Sequence, residues 1–206
     1  MLVNTRTNRD LSVAKRKSKT ERTAEIIHLA KARFQKTGIA GTTLDMVAID
    51  VGIPRPHLYR FFKNKAELVS AVIAAEVEEI NARRWEEVKR LRSFERQVVR
   101  SLELAVELIH SDDFWSTLIE PGNVPHTAYA ASADPNIAAS NARYWHQILD
   151  RADENGELRQ DVNIEEVLNW LLGVQFMFME RREIFPSVKD VRRYATEFIV
   201  PALLAR

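Results

Sequence analysis

The sequence predicts an all-α protein of about nine helices, on three observations. Apolar residues recur three and four positions apart along most of the chain and almost nowhere alternate as a strand would require. Only six glycines and seven prolines interrupt 206 residues, which leaves room for long helices. Capping residues stand just ahead of several apolar runs.

The first helix carries Ile26, Ile27, Ala30 and Phe34 on one face and closes at Gly38, a residue suited to a C-cap. After the turn Ile39-Ala40-Gly41, Thr42 and Thr43 offer an N-cap to a short helix bearing Leu44, Met46, Val47 and Ala48, which Gly52 breaks. A third helix starts near Pro54 and ends by Phe62. Asn64, with Glu67 three residues on, resembles a capping box and opens a long helix running from Ala66 to about Arg90. Further helices are expected over 94–110, 112–120, 137–155, 164–185 and 188–204, the last bent or ended by Pro201.

The prolines at 54 and 56 fit a helix entrance, where backbone N–H groups have no intrahelical partner and a fixed φ suits the first turn. At about 100° per residue, Leu58, Phe61 and Phe62 point inward, while Pro56 and Arg60 point outward, flanked by His57 and Tyr59. A short helix joined to another through a glycine turn, with a stiff, basic and aromatic outer face, is a helix-turn-helix arrangement.

Charge divides along the chain. Residues 1–65 hold 14 Lys and Arg against 5 Asp and Glu, a net +9, and the remainder holds 16 against 24, a net −8. A basic head on an acidic body implies a polyanionic partner for the head and a separate task for the body. The absence of cysteine excludes disulfides and thiolate metal sites. The N-terminus has no apolar h-region, and the most apolar segment, 167–179, is broken by Asn169 and Gln175, so a soluble cytoplasmic protein is expected.

One catalytic reading is open. Glu25-Ile-Ile-His28 and Glu107-Leu-Ile-His110 are both Glu-x-x-His, and two such motifs with two further Glu would make a di-metal carboxylate enzyme in a helical bundle. Against it, His28 falls on the outer side of the first helix and no inward Glu pair completes the site. No nucleophilic triad or nucleotide loop is visible, and the chain is expected to be no enzyme and to need no cofactor.

Residues 23–73 resemble the N-terminal domain of the tetracycline-repressor (TetR) family of transcription regulators. The points of match are Phe34, Gly38, the pair Thr42-Thr43, Gly52, the pair Leu58-Tyr59, Phe62, Lys65 and Leu68. His57 departs from the pattern, standing where the family most often has threonine. The resemblance implies a basic arm over 1–19, a helix-turn-helix DNA-binding domain over 20–65 and a helical ligand-binding and dimerisation domain over 66–206. It implies a homodimer on double-stranded DNA at a near-palindromic operator, most simply a repressor released by a small effector. The DNA-contacting set would be Thr42, Thr43, Arg55, Pro56, His57, Tyr59, Arg60, Lys63 and Lys65. In it the Thr43 and Tyr59 hydroxyls and the Lys63 and Lys65 ammonium groups would meet phosphates. Arg55 and His57 would donate to guanine, and Pro56 would touch a thymine methyl. Residues 15–19 would track the backbone or minor groove.

The same resemblance gives the body a ligand pocket. Aromatic clusters at Phe114-Trp115, Tyr144-Trp145 and Trp170 with Phe176 and Phe178 are its candidates. Trp115, Tyr144, Trp145 and Trp170 are expected as lining, with His110, Asn141 and Gln175 as polar handles and an apolar effector. The weakly patterned stretch from Pro121 to Pro135 would gate it. Leu168, Leu172, Phe176 and Met179 on one helix, with Tyr194, Phe198, Ile199 and Leu203 on the last, would form a four-helix dimer interface, with Gly173 permitting close helix approach.

Overall fold

The computed structural model describes residues 17–118 and 134–205. Residues 121–133 of the proposed gate, which runs from Pro121 to Pro135, and residues 1–16 of the arm lie outside the described residues.

Among the described residues the chain is helical apart from one antiparallel bridge, Leu158 with Leu204. Helix α1 (Lys19–Gly41) is closed at its start by a capping box between Ser18 and Glu21. Gly38 does not end it but kinks it, at φ 70° and ψ 161°, a conformation that costs a glycine little. Helix α2 (Leu44–Val51) takes Thr43 as its N-cap and Gly52, in the left-handed region, as its C-cap. Helix α3 (Arg55–Leu58) is only one turn, with Pro54 at its N-cap and Pro56 in its first turn. The N–H groups of Arg60 and Phe61 then bond three residues back, so the helix expected to reach Phe62 ends as tightened turns.

Helix α4 (Lys65–Val88) starts at Asn64, whose Oδ1 accepts from the Glu67 N–H at 2.8 Å. The reciprocal bond of the expected capping box is displaced by one residue: Glu67 Oε2 accepts from Lys63 N–H at 2.7 Å. Helices α5 (Phe94–His110), α6 (Asp113–Leu118), α7 (Pro135–Glu154) and α8 (Ile164–Glu180) follow. Helix α9 (Val188–Tyr194) runs through a π turn (Ala195–Ile199) into α10 (Val200–Leu203). Pro201 has no N–H for the Glu197 carbonyl and its ring crowds that carbonyl, so the helix widens there and continues, where a bend or an end was expected.

Two apolar clusters organise these elements. One builds the head from α1, α2, α3 and the start of α4, with Ile26, Phe34, Val47, Leu58 and Leu68 at its centre. That cluster does not stop near residue 65: Ile73 and Ile80 of α4, Ile109 of α5, Phe114 and Trp115 of α6 and Ile137 of α7 belong to it. The other fills the body around α5, α7, α8 and the last helices, with Val98, Leu102, Trp145, Ile148, Leu171, Phe178 and Ile199 among its members. Buried Glu103 of α5 accepts from Arg100 and from Arg192, fixing α9 against α5. The Ser101 and Tyr144 hydroxyls, 2.6 Å apart, join α5 to α7.

Candidate nucleic-acid interface and ligand cavity

The head presents Arg55, Pro56, His57, Tyr59, Arg60 and Lys63 to solvent on one short segment, while Leu58 and Phe62 anchor that segment in the core. Tyr59, 39% exposed, sits outside the core as its angle predicts. Arg55 is held in a defined pose: Nε lies 2.8 Å from Asp45 Oδ1 and Nη2 donates to the Tyr59 hydroxyl at 3.2 Å. Asp45 was not among the expected residues, although its place in the first turn of α2 beside the Thr43 cap could have pointed to it.

Two of the expected contacts have other partners. Thr42 is 1% exposed, its hydroxyl donating to the Gly38 carbonyl at 2.7 Å and lying 2.8 Å from the Thr37 hydroxyl. That side chain closes the kink in α1 and is not available to a phosphate. The Lys65 ammonium donates to the carbonyls of Ile39, Ala40 and Thr42, at 3.0, 3.3 and 3.2 Å, gathering the last carbonyls of α1. Such bonds satisfy helix-end acceptors that would otherwise lack donors. Thr43 and Lys63 remain exposed.

A cavity of about 460 Å³ lies between α4, α5, α6, α7 and α8. Its walls are mostly apolar, with Ile73, Val77 and Ile80 from α4 facing Leu172, Phe176 and Met179 from α8. Trp115, Asn141 and Gln175 line it, as the sequence reading expects. The remaining expected lining residues do not. Tyr144 and Trp145 are 2% and 0% exposed members of the body core, stacked edge to face on one another. Trp170 is 40% exposed, on the outside of α8. His110 is outside the lining; its Nε2 is buried without a partner, and burial, with the nearby Arg182 charge, lowers its pKa.

Two polar lining residues went unseen in the sequence. Asn81 and Arg84 come from α4, and Arg84 is 1% exposed. Arg84 Nη1 donates to Asn81 Oδ1 at 2.8 Å and Nη2 to Gln175 Oε1 at 2.9 Å, while Asn81 Nδ2 donates to Asn141 Oδ1 at 3.0 Å. The four polar residues thus form one network within an otherwise apolar wall. Spacing could have signalled it, since Ile73, Val77, Ile80 and Arg84 share one helix face. Gly173 also lines the cavity, and a Cβ there would meet nothing within 4 Å. It does not serve close helix approach; it leaves the wall open.

The Glu-x-x-His carboxylates are engaged elsewhere: Glu25 pairs with Lys17 and Arg22, and Glu107 with Arg100. Among the described residues no three His, Asp or Glu side chains gather to hold a metal, and no helix is long and apolar enough to cross a membrane.

Comparison with known proteins agrees with the head. Residues 26–72 match the model for bacterial regulatory proteins of the tetR family. The HTH-type transcriptional regulator SrpR of Pseudomonas putida is 28% identical over 153 residues, 72% of this chain and 69% of its own. The HTH-type transcriptional regulator TtgR, also of Pseudomonas putida, is 45% identical over 53 residues, 26% of this chain and 25% of its own. In fold, the transcriptional regulator FadR from Bacillus subtilis, solved in complex with stearoyl-CoA, superposes with a TM-score of 0.61 at 14% identity, covering 87% of this chain and 98% of that one. These relatives are regulators of transcription and not enzymes. Residues 26–72 of this chain thus carry the N-terminal DNA-binding unit of the tetR family of bacterial regulatory proteins.

Proposed function

We propose that the protein is a cytoplasmic, ligand-responsive repressor that binds a near-palindromic operator as a homodimer and releases it when a small, mainly apolar effector fills the cavity. The observation that carries this reading is shared packing. Ile73, Ile80, Ile109, Trp115 and Ile137 line the cavity and also belong to the apolar cluster that contains Phe34, Leu58 and Leu68 of the head. A ligand that moves those side chains acts on the packing that orients α3, and α4 runs unbroken from the cavity wall to the head. Differential affinity for two arrangements of the heads is then sufficient for release.

In the head, Arg55, Pro56, His57 and Arg60 would read or flank base edges, with Thr43, Tyr59 and Lys63 on phosphates. Residues 1–19 form the proposed arm, 20–65 the DNA-binding domain and 66–206 the ligand-binding and dimerisation domain. Trp170 and Phe198, 40% and 56% exposed on the last long helices, support a dimer face there.

Gel-shift selection from random duplexes, followed by light scattering of the free and bound protein, tests this reading. The expected result is one palindromic site with two chains on it, and Arg55→Ala relaxing the preference at particular positions. Sequence-independent binding, or Arg55→Ala with unchanged selectivity, overturns it.

A further inference from the structure

The cavity holds a positive charge that nothing in the described chain balances. Arg84 stands last in the row Ile73, Val77, Ile80 and Arg84 on α4. At a rise of about 1.5 Å per residue this row is roughly 16 Å long, apolar toward the head and cationic at the far end. The guanidinium bonds two neutral amides, Asn81 and Gln175, and its carbon lies 4.0 Å from the Tyr144 ring centre. Its Nε is buried without a partner, and among the described residues no carboxylate pairs with it. Arginine remains protonated even when buried, so the desolvation cost is carried here with no opposite charge.

A purely structural role accounts for this poorly. A neutral side chain of similar size would join α4 to α7 and α8 without burying an ion. The orphaned Nε is a donor, so what the guanidinium lacks is an acceptor, and for a guanidinium fork the favoured acceptor is an anion.

We propose that the cavity binds an amphipathic monocarboxylate, with its carboxylate on Arg84 and its apolar body lying along Ile80, Val77 and Ile73 toward Trp115. The proposal rests on the cavity being the effector site, and it replaces a purely apolar effector with an anionic one. The carboxylate supplies the counter-charge that the guanidinium lacks, and the tail occupies the wall shared with the head core.

The test uses the full chain, with decanoate and decan-1-ol as probes that share a tail and differ in charge. Binding is read by calorimetry and by thermal shift. Wild type should bind decanoate at least about tenfold more tightly than decanol, the usual scale for a charge-assisted hydrogen bond. Arg84→Met should lose that preference and keep decanol binding, with a lower melting temperature because Asn81 and Gln175 each lose a donor, and Arg84→Lys should keep part of the preference. Equal binding of the two probes by wild type, or decanoate affinity retained in Arg84→Met, overturns the anionic class and leaves the cavity as a ligand site. Binding of neither probe overturns both. If Arg84→Met does not fold, the two probes on wild type and on Arg84→Lys decide the question alone.

Discussion

The ammonium of Lys31 on α1 lies 2.5 Å from Glu76 Oε2 on α4 and 3.4 Å from Asp112 Oδ2 at the start of α6. This link ties the head to the body beside the cavity wall, where Ile73, Val77 and Ile80 stand on the same helix. Burial raises the Glu76 pKa more than the Lys31 bond lowers it, so its charge depends on that lysine.

Lys31→Met should therefore cost on the order of 2 kcal/mol near neutral pH, by leaving a mostly buried carboxylate unpaired. The folded-state pKa of Glu76 then rises further above its unfolded value. Stability tied to it is present at acid pH and lost as pH rises, so the deficit against wild type should grow from pH 5 to 8. Adding Glu76→Gln should remove this pH dependence. Thermal melts across that range check it, and a deficit that shrinks with rising pH would contradict the role given to Glu76.

Between α1 and α2, Arg33 grips Asp50 through two hydrogen bonds, Nε to Oδ2 at 2.7 Å and Nη2 to Oδ1 at 2.5 Å. The Arg33 hydrogen bond lowers the Asp50 pKa. A lowered folded-state pKa gives stability that is present above the unfolded value of 3.8 and lost as pH falls through the folded one. The melting temperature of wild type should exceed that of Arg33→Gln by a constant margin above about pH 5, and the margin should shrink below about pH 4. A pH-independent margin would dissociate the pair from acid unfolding.

Lys63 and Lys65 should behave differently despite their adjacency. Lys63→Ala removes an exposed charge and should reduce the salt slope of operator binding by about one, with the melting temperature unchanged. Lys65→Ala frees three carbonyls at the end of α1 and should lower the melting temperature together with affinity. Gel shifts at several salt concentrations, paired with melts, separate the two; identical behaviour would place both on phosphates.

At Gly173, alanine should raise stability by about 0.5–1 kcal/mol, since it restores helix propensity where a Cβ meets nothing within 4 Å. Gly173→Leu should extend into the cavity and weaken ligand binding while operator affinity in the ligand-free protein stays near wild type. Ligand titration of both variants against DNA affinity reads this out. A loss of operator affinity in Gly173→Leu alone would instead tie the position to the heads.

Local chemistry determined the helices and the head. Thr43, Gly52, Pro54 and Asn64 act within one turn of where they stand, so α2, the helix-turn-helix crossing and the start of α4 were legible, and α5 spans the residues its apolar period marks out. The cavity was not legible in the same way. Helical period gives every helix an inner face, but whether an inward aromatic meets a neighbour or a void depends on the spacing between helices that are distant in sequence. That spacing packed Tyr144 and Trp145 into the core, left Trp170 outside and placed Trp115 on the cavity. The same limit hid Thr42 and Lys65, whose partners are backbone carbonyls brought together by the kink at Gly38. Arg84 was the furthest from view: its spacing after Ile73, Val77 and Ile80 sets it on their face, but a long cationic side chain at the end of such a row ordinarily reaches water. Only the closure of α7 and α8 over α4 decided that this one would be sealed against Tyr144 and Gln175, with a cavity beside it.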